Sequence, residues 1–273
     1  MQNITLDTFC QISGIGAASG LFFKYDTLFI ISDNSTFLYQ YNLLEQKLQK
    51  IKLLDNSQDS ILKKDKLDFE SITFNNNKLY LFGSGSTSKR EKRISYNIET
   101  KEIKEKNLKK LYQKLKTTAT ISDEDLNLEG AFYSNQKWFF FQRGNGSESK
   151  NGIFIVDAKK NIQFVPVSLP KIDTVEATFT DAILVENSIY FLAAAENTTS
   201  TYNDGEIAGS LFGQMNCQTL EVHFTEIISR ENKFEGLTLY SNSIDKIEFL
   251  LCEDNDTESL ETTIYKLTVN TNQ

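Results

Sequence analysis

Glu129-Gly130-Ala131-Phe132-Tyr133, a polar turn, Trp138-Phe139-Phe140-Phe141 and then Gln142-Arg143-Gly144-Asn145 form the most legible stretch of this chain. An acid and a small residue open an apolar run of strand length, a turn reverses it, and a second apolar run ends in a polar cluster. Short aromatic and branched runs bounded by Asn, Gly and Ser read as antiparallel strands. The same grammar recurs upstream in Ser19-Gly20-Leu21-Phe22-Phe23 with Leu28-Phe29-Ile30-Ile31, and in Glu70-Ser71-Ile72-Thr73-Phe74 with Leu79-Tyr80-Leu81-Phe82. Downstream it returns in Asp181-Ala182-Ile183-Leu184-Val185 with Ile189-Tyr190-Phe191-Leu192, and in Glu235-Gly236-Leu237-Thr238-Leu239 with Ile247-Glu248-Phe249-Leu250-Leu251.

The small residues at 20, 71, 130, 182 and 236 stand 51, 59, 52 and 54 positions apart. A period of that size, carrying short strands separated by turns, is the signature of a propeller blade. Third strands read at 37–43, 93–98, 152–157, 210–216 and 263–269, and fourth strands at 48–54, 102–108, 162–169 and 220–228. The fifth repeat lacks a fourth strand, while Ile4-Thr5-Leu6-Asp7-Thr8-Phe9-Cys10 is a strand without a repeat. Joining the two predicts an all-β, five-bladed β-propeller of four-stranded blades, closed by the N-terminal strand on the last blade. Closure of this kind removes an open sheet edge. One domain is expected over 1–273, with blades at 19–55, 70–110, 129–170, 181–230 and 235–269 plus the strand 4–10. The helical spacing of Leu108, Leu111, Tyr112 and Leu115 predicts a short helix between blades 2 and 3, which accounts for the longest interval.

Composition narrows the function classes. With 37 Asp+Glu against 29 Lys+Arg the net charge is −8, so no surplus exists to neutralise nucleic-acid phosphates. No apolar run reaches the roughly 20 residues of a membrane span. The start lacks the basic and apolar regions of a signal peptide, which makes a cytoplasmic location the default expectation. Three scattered Cys and a single His, His223 in strand-like text, suit free thiols and an outward-facing imidazole. They do not suit a disulfide framework, a multi-His zinc site or a histidine-based triad.

The acid–small openings Asp68-Phe69-Glu70-Ser71, Leu126-Asn127-Leu128-Glu129-Gly130 and Phe234-Glu235-Gly236 carry a resemblance, as do the polar ends Phe82-Gly83-Ser84-Gly85-Ser86 and Gln142-Arg143-Gly144-Asn145. Together they resemble the phytase-like esterase propellers, and more closely an uncharacterised bacterial family of small propellers related to them. The resemblance implies the fold and carries no established reaction. Ser19 departs from it, standing where the other repeats have an acid.

In a propeller the first strand of each blade lines the central channel, and the antiparallel second strand ends at the same mouth. That mouth is expected to collect Asp33, Asn34, Glu70, Ser84, Glu129, Arg143, Asn145, Asp181, Glu196, Asn197, Glu235, Glu253, Asp254 and Asn255. Glu70, Glu129, Asp181 and Glu235 are the candidate metal ligands, since clustered carboxylate oxygens suit Ca²⁺ or Mg²⁺. Glu129, Glu235 and Asp181 are also the candidate acid/base groups. Equally open at this point is a fastening role, in which each acid accepts backbone N–H groups of the next blade. Arg143, Asn145, Asp33, Asn34 and Tyr202 are candidate ligand contacts, with Arg143 either a fork for a carboxylate or phosphate or an inter-blade ion pair. Gly83-Ser84-Gly85-Ser86 with Arg90 and Arg93 reads as a flexible loop or an anion-binding nest, and Lys101–Lys116, seven Lys against two Glu, as a solvated basic face.

Three functions fit these residues. The first is a monomeric module binding a small polar molecule or a cation, with Ca²⁺ the candidate cofactor. The second is a metal-dependent hydrolase of esters, lactones or phosphoesters of the phytase-like kind. The third is a glycosidase using paired carboxylates.

Overall fold

The computed structural model describes residues 3–201, 205–254 and 259–271. After an initial strand, β1 (Ile4–Ser13), the chain lays down blade 1 as β2 (Ala18–Lys24), β3 (Thr27–Ser32), β4 (Phe37–Asn42) and β5 (Lys47–Lys52). Blade 2 follows as β6 (Phe69–Asn75), β7 (Lys78–Gly83), β8 (Lys92–Asn97) and β9 (Ile103–Asn107). A helix, α1 (Lys109–Ala119), leads into blade 3, built of β10 (Leu128–Ser134), β11 (Lys137–Gln142), β12 (Gly152–Val156) and β13 (Ile162–Pro166). Blade 4 has β14 (Lys171–Ile172), β15 (Val175–Val185), β16 (Ser188–Asn197), β17 (Glu206–Asn216) and β18 (Val222–Ser229). The last blade has β19 (Phe234–Asn242), β20 (Lys246–Glu253) and β21 (Glu261–Asn270).

Every blade is an antiparallel meander, and the fifth sheet runs β1-β21-β20-β19, so the N-terminal strand is the outermost strand of the last blade. Ile4 pairs with Val269 and Ser13 with Glu261. The fold is therefore the five-bladed propeller that the repeat predicts. One detail differs: blade 4 is five-stranded, because the two-residue β14 folds back on the start of β15.

The innermost strands β2, β6, β10, β15 and β19 touch one another in cyclic order, and β19 returns to β2. Between each pair of adjacent blades lies one cluster of buried apolar side chains, five in all among the described residues. Alternation puts one face of each strand into the cluster before its blade and the other into the cluster after it. Burial of these faces, at about 25 cal/mol per Å² of apolar surface, is what holds blade to blade. The inner strands run so close that a Cβ on Gly130 would lie 2.8 Å from the Ala182 nitrogen, which explains a small residue there.

Helix α1 is where the sequence places it. Its Tyr112 and Leu115 are buried in the cluster between blades 2 and 3, and the Tyr112 hydroxyl donates to the Gly83 carbonyl at 2.7 Å. Gly85, at φ +84°, passes under that ring, where an added Cβ would meet Tyr112 at 2.7 Å. No helix among the described residues is long and apolar enough to cross a membrane. Cys10, Cys217 and Cys252 are free thiols, and His223 lies exposed on β18.

Candidate functional site

Each innermost strand carries a β-bulge, an extra residue that the neighbouring strand does not pair. The register skips Ser19 in blade 1, Glu70 in blade 2, Glu129 in blade 3, Thr180 in blade 4 and Glu235 in blade 5. Bulges re-aim side chains and are common beside functional sites. They correct one expectation: the repeat position in blade 4 belongs to Thr180, and Asp181 stands one residue later, where the other blades have Gly or Ser. A one-residue shift on a strand turns a side chain to the opposite face. Asp181 accordingly sits outside the mouth and accepts the N–H groups of Ala182 and of Leu237 in the next blade, both at 2.7 Å. It is a fastener of blades 4 and 5, and burial pushes its carboxyl well above the ordinary value, against the pull of those two bonds.

Glu70, Glu129 and Glu235 do converge, on a cavity at the channel mouth with ≈ 80 Å³ in which the centre of a water molecule fits. Asp33, Arg143, Asn145, Glu196 and Asp254 join them from the ends of second strands, as the antiparallel geometry requires. Asn34 does not; its Oδ1 accepts the Ser32 hydroxyl at 2.8 Å. Asn197 is exposed, and Glu253 is engaged by Asn232 and by the Tyr265 hydroxyl, so neither lines the cavity. Tyr202 and Asn255 lie outside the described residues. Ser200 and Thr201, which precede Tyr202, are at the cavity.

The sequence pattern did not single out Lys63, Lys66, Asp68, Arg90, Asn127 or Lys233 for the mouth, yet all line it. A signal existed for three of them. Asp68, Asn127 and Lys233 each stand two residues before a bulged Glu. At the same position blades 1 and 4 have Ala17 and Thr178, which stay out of the cavity. Lys63 and Lys66 come from the connection between blades 1 and 2, whose path no local pattern dictates.

Most of the mouth is a charge network. Arg143, only 3% exposed, is enclosed by three carboxylates: Glu129 at 3.3 Å, Glu235 at 3.6 Å and a short contact to Glu196. Burial opposes its charge, but those three acids hold its pKa above the ordinary range. Lys233 bridges Glu235 at 3.0 Å and Asp254 at 3.3 Å. Lys66 pairs with Asp33 at 2.5 Å, and Arg90 with Asp68 at 2.6 Å. Ser84 donates to Asp68 at 2.5 Å and Arg90 also reaches Ser86 at 2.8 Å. The Gly83–Ser86 loop is thus a buried platform under Asp68 rather than a flexible loop or an open anion nest. Arg143 likewise works as an inter-blade clamp.

Glu70 stands apart. It is 9% exposed, its Oε2 has no hydrogen-bond partner, and it forms no ion pair among the described residues. Burial lifts its pKa well above the ordinary carboxylate value, and its charged neighbours Glu129, Asp68, Glu235 and Asp33 push the same way. Beside it, Asp33 Oδ1 and Glu129 Oε2 are also buried without a hydrogen-bond partner among the described residues. Burial raises Asp33 to about 7, with Lys66 opposing. Oxygens of Asp33, Asp68 and Glu70 all lie within 4.8 Å of one another. Two oxygens each about 2.3–2.6 Å from one Ca²⁺ are at most ~5.2 Å apart, so the three are close enough to share an ion.

Solved structures share the fold at low identity. A glutaminyl cyclase of Myxococcus xanthus superimposes with TM-score 0.54 and 13% identity, over 97% of this chain and 97% of that one. An exo-1,5-alpha-L-arabinanase from a bovine ruminal metagenomic library gives 0.53 and 8%, over 95% and 97%. A luciferin-regenerating enzyme gives 0.50 and 8%, over 98% and 97%. At such identities the likeness speaks for the propeller alone. No curated protein matches the sequence. A family model does: residues 14–269 match the family of unknown function DUF6929, and the chain belongs to that family.

Proposed function

We propose that this propeller is a binding protein whose central cavity holds one divalent cation of the Ca²⁺ or Mg²⁺ class, ligated by Asp33, Asp68 and Glu70. The observation that carries this reading is the set of buried carboxylate oxygens on Asp33, Glu70 and Glu129, residues lining one cavity, that have no hydrogen-bond partner among the described residues. Leaving such groups unpaired is costly, and hard oxygen donors compensate best with a hard cation. Charge supports it: the described lining residues carry seven carboxylates against five Lys and Arg, an excess of two negative charges that one divalent ion neutralises. Size supports it too, since ≈ 80 Å³ accommodates an ion with a few waters more readily than an organic ligand.

The hydrolase reading suggested by the phytase-like resemblance needs an anion-gripping fork in addition. Arg143 and Arg90, the arginines at the mouth, are both turned toward carboxylates, which favours a resident ion over turnover of an ester.

Calorimetric titration of chelator-treated protein with CaCl₂ and with MgCl₂ tests the proposal. Saturable binding near one ion per chain that disappears in Glu70→Gln is the expected result. No binding of either ion by folded wild-type protein would overturn it.

A further inference from the structure

Between blades 2 and 3, beside α1, lies a second cavity of ≈ 650 Å³ that shares no lining residue with the mouth. Its size falls in the range of sites for organic molecules. Phe82, Trp138, Phe140, Val156 and Leu111 make it apolar, while Arg93, Lys106, Lys110, Lys114 and Lys160 stand around it with one acid, Asp157. Both Asp157 carboxylate oxygens are occupied by Asn161, at 2.8 and 2.7 Å. The basic segment before and along α1 is therefore more than a solvated face: three of its lysines border an apolar hollow.

Arg93 carries the inference. Its Nε is buried with no hydrogen-bond partner, and its guanidinium pairs with no carboxylate among the described residues, lying instead 4.9 Å from the Tyr80 ring. Directly across the sheet from it stands Lys106. Like charges directly opposite one another destabilise a strand pair, and an anion between them removes the penalty. The nearest sequence acids are spent elsewhere, Glu91 on Lys116 at 3.2 Å, Glu105 on Lys92 at 3.0 Å and Glu102 on Lys104 at 2.8 Å. Lys110 and Lys114, one helical turn apart, add two more cations on the same side of α1.

We propose that this cavity binds an amphipathic organic anion, a carboxylate or phosphate monoester on an apolar body. Arg93 and Lys106 hold the charged group, and Trp138 packs against the body. Guanidinium is the cation suited to a planar or tetrahedral oxyanion, and it stacks on aromatic rings without losing its donors.

Trp138 is the chain's one tryptophan, so emission excited beyond the tyrosine absorption band comes from a side chain that lines this cavity. Titration with decanoate below its micelle concentration is expected to change Trp138 emission saturably, while decanol at matched concentration does not. Arg93→Gln is expected to weaken decanoate binding roughly tenfold or more, the loss of a charge-assisted contact. The double substitution Lys106→Gln/Lys110→Gln, on exposed side chains, is expected to weaken it as well while circular dichroism stays unchanged. No saturable response to decanoate, an equal response to decanol, or undiminished binding in the double variant would each overturn the proposal. So would co-sedimentation with phosphatidylserine vesicles by protein that ignores free decanoate, since that points to a lipid surface instead.

Discussion

Blades 1 and 4 and blades 2, 3 and 5 solve one structural position in two ways. At the bulge of the inner strand, Ser19 and Thr180 donate their hydroxyls to the carbonyls of Phe69 and Phe234 in the following blade, at 2.5 and 2.6 Å. A carboxylate cannot donate, so Glu70, Glu129 and Glu235 at the same position turn into the mouth and gather charge around themselves. The hydroxyl blades contribute fastening, and the carboxylate blades contribute a site. Within the second group Glu129 and Glu235 are met by Arg143 and Lys233, while Glu70 forms no ion pair among the described residues. One backbone device thus yields a joint, a neutralised charge or a buried acid outside the ion-pair network, according to the residue it presents.

The largest expected effect comes from breaking the neutralised part. Arg143→Met leaves three buried carboxylates without their clamp and is expected to cost about 3–5 kcal/mol in denaturant unfolding. A loss below about 1 kcal/mol would mean that the network is ornamental. Next comes the proposed ion site: Ca²⁺ at about 100 times its Kd is expected to add about 2.7 kcal/mol to wild-type stability and nothing to Glu70→Gln. Equal thermal shifts in both proteins would remove Glu70 from the site. Cutting the joints is milder. Thr180→Val and Ser19→Ala each orphan a buried carbonyl and are expected to cost about 1–3 kcal/mol, adding nearly independently in the double variant.

The remaining comparison is pH dependence. Asp33, raised to about 7 by burial against the pull of Lys66, keeps its proton in the folded chain after the unfolded chain has lost it, starting near the ordinary value of 3.8. Stability of chelator-treated protein is therefore expected to be full below that value and to decline as pH rises toward 7 and just beyond. Asp33→Asn is expected to flatten the decline in thermal unfolding followed from pH 5 to 8, and an unchanged slope would assign it to other groups.

The blade count was legible because each inner hairpin must be apolar on both faces, which stamps a period on the chain. Ring closure was legible because an unpaired fourth strand and a spare N-terminal strand are complementary omissions. The error at Asp181 arose from reading an acid followed by a small residue. The better marker is the apolar residue buried just before the bulge, which is Phe69, Leu128, Phe179 and Phe234 in blades 2 to 5. It would have selected Thr180. The cations of the mouth were less legible, since Lys66 and Arg90 reach it along connections whose course depends on the finished ring. Acids recurring at one repeat position suggested an acidic mouth; the fold delivers a nearly balanced one, with its imbalance focused on Glu70.

The seam between β1 and β21 bears on how the ring is made. Asn3 accepts from Asn270 at 3.1 Å and Ile4 pairs with Val269, so the first strand of the ring waits for its last. At about 5–20 residues per second the interval is on the order of tens of seconds, during which β1 has no partner and β21 does not yet exist. Closing that contact carries the largest loop-entropy cost in the molecule. A circular permutant that joins the present termini and opens the chain in the exposed turn at 44–46 would turn this late, long-range step into a local hairpin. Refolding of such a permutant would separate the speed of blade formation from the speed of ring closure.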